Sequence, residues 1–164
     1  MREINYEVLS KSIHNNLEVL NEFGETTLVI TRADGVVLWT NNKDQETDHS
    51  LGALISGLWS SAKAVTDLFH AENINNFLTY GGSSDGTHIL PITLGGKRFA
   101  FSTIYKKVLN PSKLKLKFRL LNKLIEEEYE EKATFVETVG VGKEKTKTLF
   151  NNITDEEIDN LFTL

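Results

Sequence analysis

The stretch from His49 to Phe69 constrains the fold most, because its apolar residues recur at the spacing of an amphipathic helix. It contains no proline that would interrupt a helix. The apolar residues that fall on one stripe are Leu51, Leu54, Ile55, Leu58, Ala62, Val65 and Phe69. A stripe of this kind predicts a helix that packs against a β-sheet.

The opposite side of this helix carries small residues, namely Ala53, Ser56, Gly57, Ser60 and Ala64. A glycine inside a helix costs about 1 kcal/mol relative to alanine, and it is tolerated where another backbone comes close. One interpretation is a surface helix with a weakly polar outer face. The interpretation we favour is a helix with two partners, because Trp59 lies between the two stripes and would be half exposed in a monomer. It predicts a homodimer through this helix and a sheet edge, with an interface of Ala53, Gly57, Ser60 and Ala64.

The remaining elements are predicted from periodicity and turn residues. Asp34-Gly35 lies between two β-branched runs, which is typical of a β-hairpin turn, and Gly24 stands where a helix would end. The predicted elements before the central helix are a helix over Glu3–Phe23 and strands over Thr26–Arg32 and Val36–Thr40. Those after it are strands over Phe77–Tyr80, His88–Leu94 and Lys97–Tyr105.

A third long helix is predicted to begin at Asn110-Pro111, a capping residue followed by proline at the first helical position. Lysines and an arginine crowd its first half and glutamates its second half, opposite to what the helix dipole favours. These charges are either a solvated face or a basic patch for an acidic partner. From Ala133 the composition becomes mixed, so we predict a domain over residues 1–132 and a linker or arm over residues 133–164.

The end of the sequence is organised again. Thr154 and Glu157 form a capping box for a short helix that is acidic on one side. Its apolar residues are Ile153, Ile158, Leu161 and Phe162. So short a helix is marginal alone in water, which predicts that it docks on its own domain or on a partner.

Composition excludes several classes of function. The 164 residues include no cysteine, which rules out disulfides, thiolate metal sites and thiol catalysis. The net charge of −5 disfavours non-specific nucleic-acid binding, and no apolar run is long enough to span a bilayer. The four histidines are isolated in the sequence, so we predict no metal, no cofactor and no catalytic residue. We expect a cytoplasmic protein without nucleic-acid or membrane partners.

The order and spacing of these elements resemble the roadblock (dynein light chain) family over roughly residues 3–131. The resemblance is carried by the hairpin LVITRADGVVLWTNN, the helix LGALISGLWSSAKAV, the strands around THILPITLGGKRFAFSTIY and the helix SKLKLKFRLLNKLIEE. It is greatest to the bacterial MglB group. The family implies an α+β sandwich in the order helix-strand-strand-helix-strand-strand-strand-helix, with an antiparallel five-stranded sheet, to which this chain adds a C-terminal arm. It also implies a homodimer with antiparallel central helices.

The resemblance implies a function as well. MglB-like proteins bind a small Ras-like GTPase on the paired helices and stimulate hydrolysis without supplying a catalytic arginine. On this chain the partner-binding platform would be Ser56, Trp59, Ser60, Lys63 and Asp67.

We therefore expect a non-enzymatic homodimeric regulator or scaffold of a Ras-like GTPase in bacterial cell polarity or motility. A polarity or motility protein is the candidate partner of the C-terminal segment. The alternative is an adaptor that links complexes through its dimer and its tail without contacting a GTPase. A sensor with a small ligand under the sheet is disfavoured, because Phe99 and Phe101 are bulky enough to fill that space.

Overall fold

The described part of the chain, in a computed structural model, comprises residues 3–68 and 77–150. Three α-helices and a five-stranded antiparallel sheet account for most of it. The elements in order are α1 (Tyr6–Asn16), a 3₁₀ helix (Leu17–Phe23), β1 (Thr26–Thr31), β2 (Val37–Thr40), α2 (Gln45–Leu68), β3 (Leu78–Gly81), β4 (Gly86–Leu94), β5 (Lys97–Tyr105) and α3 (Pro111–Phe150). The predicted α+β class, element order and antiparallel sheet are confirmed.

The first helix differs from its prediction in both length and type. It begins at Tyr6, where the Asn5 side chain accepts a hydrogen bond from the Val8 amide at 3.1 Å. After Asn16 the chain tightens into the 3₁₀ helix, in which residues three apart point the same way. This geometry buries both Leu20 and Phe23, which a continuing α-helix would have separated by about 60°.

The sheet has the strand order β2-β1-β5-β4-β3. Its centre is β5, which pairs with β1 from Thr26↔Tyr105 to Thr31↔Ala100 and with β4 along its whole length. The predicted hairpin joins β1 to β2, and Gly35 at its turn has φ +85°, a conformation that favours glycine. The two edge strands are therefore β2 and β3.

Helices cover both faces of this sheet. On one face Ile55 of α2 packs against Val29, Ile89 and Ala100. On the other face lies α3, where the ring centroids of Phe101 and Phe118 are 4.5 Å apart. On that same side α1 joins α3, because the Asn15 and Asn16 amides donate to the Glu128 carboxylate, each at 2.6 Å. The core is thus split into two layers by the sheet.

Helix α3 continues through the first part of the predicted linker or arm and ends at Phe150. No proline interrupts residues 112–150, and extending a helix that has already formed needs no new nucleation. By contacts the chain divides into two compact units, Met1–Glu130 and Glu131–Leu164. The domain boundary at residues 132 and 133 stays a prediction, and Ile153, Ile158, Leu161 and Phe162 lie outside the described residues.

Within the described residues, none of the helices is both long and apolar enough to cross a membrane.

Candidate functional site: the two faces of helix α2

The side of α2 that contacts the sheet has Gly52, Ile55 and Ser56 as its buried residues, and the half-buried Leu51 and Trp59 pack beside them. The Ser56 hydroxyl donates a hydrogen bond of 2.5 Å to the carbonyl oxygen of Ala33 in the hairpin turn. Gly52 allows a closer approach. A Cβ atom placed there would overlap the Gly35 carbonyl oxygen and lie 2.8 Å from a methyl carbon of Val37. Small residues therefore seat α2 on the β1–β2 hairpin.

The apolar stripe that we predicted to face the sheet points largely elsewhere, so this prediction is wrong. Of its members only Ile55 is buried, while Leu51 and Ala62 are half-buried. Leu54, Leu58 and Val65 are exposed, with 67% of the Leu54 surface open to solvent. Phe69 lies outside the described residues. The helix is rotated about its axis because the hairpin turn leaves room for Gly52 and Ser56 but not for a row of leucines.

The four residues predicted for a dimer interface are exposed beside this apolar stripe. They are Ala53, Gly57, Ser60 and Ala64. A Cβ atom added at Gly57 would have nothing within 4 Å. Leu68, at 77% exposure, extends the same side of the helix. We call the exposed set of Leu54, Leu58, Val65, Leu68 and these four small residues the outer face of α2.

The five residues predicted as a platform line one cavity of about 400 Å³ between α2 and the sheet. Ser56, Trp59, Ser60, Lys63 and Asp67 all contribute to its wall. Ser60, Lys63 and Asp67 are exposed, Trp59 is half-buried, and the Ser56 hydroxyl is already engaged by Ala33. A volume of this size is typical of sites that receive a ligand or the side chains of a partner.

Other elements complete the cavity with residues that sequence reasoning missed. Arg32 comes from the hairpin turn, Arg98 and Phe99 from β5, and Phe77 from the residue before β3. These residues are distant from α2 in the sequence, and no local sequence pattern indicates that they contact the same cavity. Arg32 is paired with Asp34 at 2.5 Å, whereas no described carboxylate forms an ion pair with Lys63 or Arg98. The charged residues of a largely apolar and small-residue cavity wall are therefore three cations and one carboxylate, Asp67.

A buried histidine lies on the other face of the sheet. His88 is fully buried, and its Nδ1 shares a hydrogen bond of 2.7 Å with the Thr79 hydroxyl. Burial first, and then the positive charges of Arg119 and Lys115, together lower its pKa to about 4. The ring packs beside Phe118 and is neutral at neutral pH, so it acts as a core residue.

Nothing in the described ranges, 3–68 and 77–150, brings together three histidine or carboxylate side chains that could hold a metal ion. The α2 surfaces carry apolar, hydroxyl and charged groups, among them Lys63 and Asp67.

The fold of this chain is similar to those of several solved structures. MglB from Myxococcus xanthus matches with a TM-score of 0.61 and 13% identity, covering 80% of this chain and 94% of that one. The gliding protein MglB from Thermus thermophilus matches with a TM-score of 0.59 and 16% identity, covering 80% and 95%. A Roadblock/LC7 domain from Streptomyces avermitilis matches with a TM-score of 0.53 and 15% identity, covering 74% and 93%. The chain has the roadblock fold.

A structure described as MglB with tetrameric arrangement is also similar to this roadblock fold, with a TM-score of 0.58 and 16% identity over 80% of this chain and 94% of that one. By sequence, no family model and no curated protein matches. The roadblock fold of this chain is thus retained by packing at sequence identities that leave few side chains in common.

Proposed function

We propose that this protein is a homodimeric, non-enzymatic regulator or scaffold of a small Ras-like GTPase, of the MglB type, in bacterial cell polarity or motility. The observation that carries the proposal is the outer face of α2, an apolar helix face left open to solvent on a roadblock fold. Exposed apolar faces of this kind are typical of protein interaction sites.

A second copy of the chain is the occupant we propose for this face. Leu54 and Leu58 supply apolar area, and Gly57 lets a second backbone come close. Because the contact uses the same residues on both sides, it closes as a two-fold dimer, for which we propose the antiparallel helix pairing that the resemblance to the roadblock family implies. The similarity to an MglB structure in a tetrameric arrangement supports self-association.

Gly57→Leu tests the dimer. Within one protomer the new side chain enters open space, so any loss of the dimer comes from the contact between copies. Sedimentation velocity at micromolar concentration should show a dimer for the natural chain and a monomer for the variant. A natural chain that sediments as a monomer would refute the dimer.

The GTPase is proposed to bind across the cavity beside the paired helices. Trp59, Ser60, Lys63 and Asp67 offer an aromatic surface, a hydroxyl and two charges to a partner. Ser56 is proposed to hold α2 on the hairpin rather than to touch the partner, because its hydroxyl already donates to Ala33.

We propose that this protein regulates the GTPase by positioning catalytic residues that belong to the GTPase itself. An arginine inserted by a regulator raises GTP hydrolysis about 10³–10⁵-fold. In this chain Arg32 is paired with Asp34, and the Arg119 guanidinium lies 4.7 Å from the centre of the Phe77 ring. The proposed positioning mechanism predicts that any effect on turnover survives replacement of Arg2, Arg32, Arg98 or Arg119.

The test is a pull-down of the host's small GTPases, each loaded with GDP or with a non-hydrolysable GTP analogue, followed by turnover assays. Lys63→Glu should weaken capture because it reverses a charge at the cavity. Lys43→Glu makes the same charge change on an exposed loop outside the cavity and serves as the control. Equal binding by all three proteins, or binding of no GTPase in either state, would contradict the proposal.

The C-terminal segment is proposed to carry a second interaction, with a polarity or motility protein. Ile153, Ile158, Leu161 and Phe162 supply its apolar side, and the carboxylates at its start would select a basic groove. A peptide of residues 149–164 should capture that partner, whereas the same peptide with Phe162→Ser should not.

A further inference from the structure

The outward side of α3 is basic and apolar at once. Its inner side is buried in the core by Leu114, Phe118, Leu121, Ile125 and Tyr129. Successive residues of a helix turn by about 100°, which directs a second set of side chains to the opposite side. We call this set, made of Lys113, Leu116, Lys117, Leu120 and Lys123, the α3 basic face.

The charge on this stretch is one-sided. Residues 106–123 contain seven lysines and arginines and no acidic residue, in a chain whose net charge is −5. The lysines near the start of α3 oppose the helix dipole, so they do not serve helix stability. A charge pattern that folding disfavours indicates a role in binding.

Leucines are exposed among these lysines. Leu116 is 68% exposed and Leu120 44%, and they lie one helical turn apart. Leu109, in the segment just before α3, is fully exposed. A single surface leucine needs no explanation, but two on one face flanked by three lysines form a defined apolar strip.

Acidic residues border the basic face. Lys113 is paired with Glu22, and Lys123 lies 3.6 Å from Glu127. Both pairs are exposed and are therefore weak enough to yield to a partner. The positive region between Glu22 and Glu127 is narrow. A broad anionic surface, such as a bilayer or a nucleic-acid duplex, would also contact these carboxylates and be repelled by them.

We propose that the α3 basic face binds an acidic amphipathic helix of a partner protein. Residues 113–123 span about 15 Å, which matches roughly three turns of a partner helix. Leu116 and Leu120 would pack against its apolar side, while Lys113, Lys117 and Lys123 would pair with carboxylates along its edges.

This surface is separate from the one used in the proposed GTPase regulation. Phe118 packs on the face of the sheet that carries Phe101, whereas α2 covers the face that carries Val29. A partner on α3 would therefore bind without displacing a second copy from α2, and the proposal goes beyond that function.

The experiment measures fluorescence anisotropy of the full chain with a labelled, three-turn synthetic peptide that has leucines at helical spacing and glutamates elsewhere. A matched peptide has lysine in place of glutamate. Binding of the acidic peptide should weaken at least ~10-fold in Leu116→Ser/Leu120→Ser and in Lys117→Glu, which is about 1.4 kcal/mol of binding free energy. It should also fall as salt rises, because exposed charges are screened.

Two controls separate a specific site from general attraction. Lys43→Glu alters the charge by the same amount on an exposed loop and should leave peptide binding unchanged. The serine variants should keep the melting temperature of the natural chain, since the leucines are exposed. Equal weakening by Lys43→Glu, equal binding of the lysine peptide, or tighter binding to phosphatidylserine vesicles or duplex DNA than to the acidic peptide would each overturn the proposal.

Discussion

Gly52→Ala should destabilise the protein although alanine is the better helix former. In the structure the added methyl would lie 2.8 Å from a side-chain carbon of Val37 and closer still to the Gly35 carbonyl oxygen. Ordinary carbon–oxygen contacts are at least about 3.3 Å, whereas this methyl carbon would lie about 1 Å closer than that to the Gly35 oxygen, so α2 and the hairpin must separate by about 1 Å. That movement also stretches the hydrogen bond from Ser56 to Ala33, which holds the next helical turn.

The expected size follows from two opposing contributions. Overpacking against a backbone atom costs about 3 kcal/mol, the upper part of the usual range. The higher helix propensity of alanine offsets about 1 kcal/mol. The net loss of about 2 kcal/mol corresponds to a fall in melting temperature of about 4–8 °C for a chain of this length.

Gly57→Ala is the matched comparison, because it lies in the same helix with nothing of its own protomer within 4 Å of the added methyl, so any loss that it causes comes from the proposed contact between copies and should depend on protein concentration. Thermal unfolding should be followed by circular dichroism at two protein concentrations tenfold apart. The loss in Gly52→Ala should be the same at both concentrations, since the contact lies within one protomer, whereas a weakened dimer gives a concentration-dependent loss. A Gly52→Ala melting temperature within about 2 °C of the natural chain would refute the close packing of α2 on the hairpin.

Three further predictions concern the outer face of α2, the buried His88 and the C-terminal segment. Leu58→Asp should weaken the proposed dimer by at least ~100-fold, because each copy loses an apolar contact and gains a buried carboxylate, and light scattering showing an intact dimer at micromolar concentration would contradict it. Between pH 6.5 and about 4 the natural unfolded chain takes up a proton at His88 that the folded chain does not. The free energy of unfolding of the natural chain should therefore fall by about 1.4 kcal/mol per pH unit as pH falls, and His88→Leu should remove this contribution. The free energy of unfolding should be measured by urea titration at several pH values. His49 is exposed, so His49→Gln should keep the natural dependence of that free energy on pH. The same dependence in His88→Leu would show that the ring is solvated in the folded state. Deleting residues 149–164 should leave the melting temperature and the dimer unchanged while one partner interaction weakens, and a large drop in melting temperature would place that segment in the core fold.

Much of the fold could be predicted from local chemistry. The Asp34-Gly35 turn, the alternation along β5 and the proline at position 111 each act over a few residues, and the structure confirms the hairpin, the strand and the start of α3. The end of α3 could not be predicted in this way. Two glycines and a mixed composition suggest a linker, but a helix that is already formed continues at little cost.

The platform residues could be proposed from the sequence as positions on one helix, but not the cavity that they line. Arg32, Phe77 and Arg98 reach it from the hairpin, from the start of β3 and from β5, and only the pairing of strands brings them to α2. The meeting of Arg32 and Arg98 with Lys63 at this cavity is therefore a property of the tertiary structure.

The sequence by itself determined that α2 is a helix with an apolar stripe and a small-residue stripe. Only the tertiary structure decided which residues of α2 are buried, and they are Gly52, Ile55 and Ser56, while Leu54 and Leu58 stay exposed. The physical reason is that apolar periodicity indicates which face of a helix is apolar. It does not indicate whether the sheet of the same chain or a second chain covers that face. The close approach at Gly35 favours small side chains, so the leucines are left for another surface.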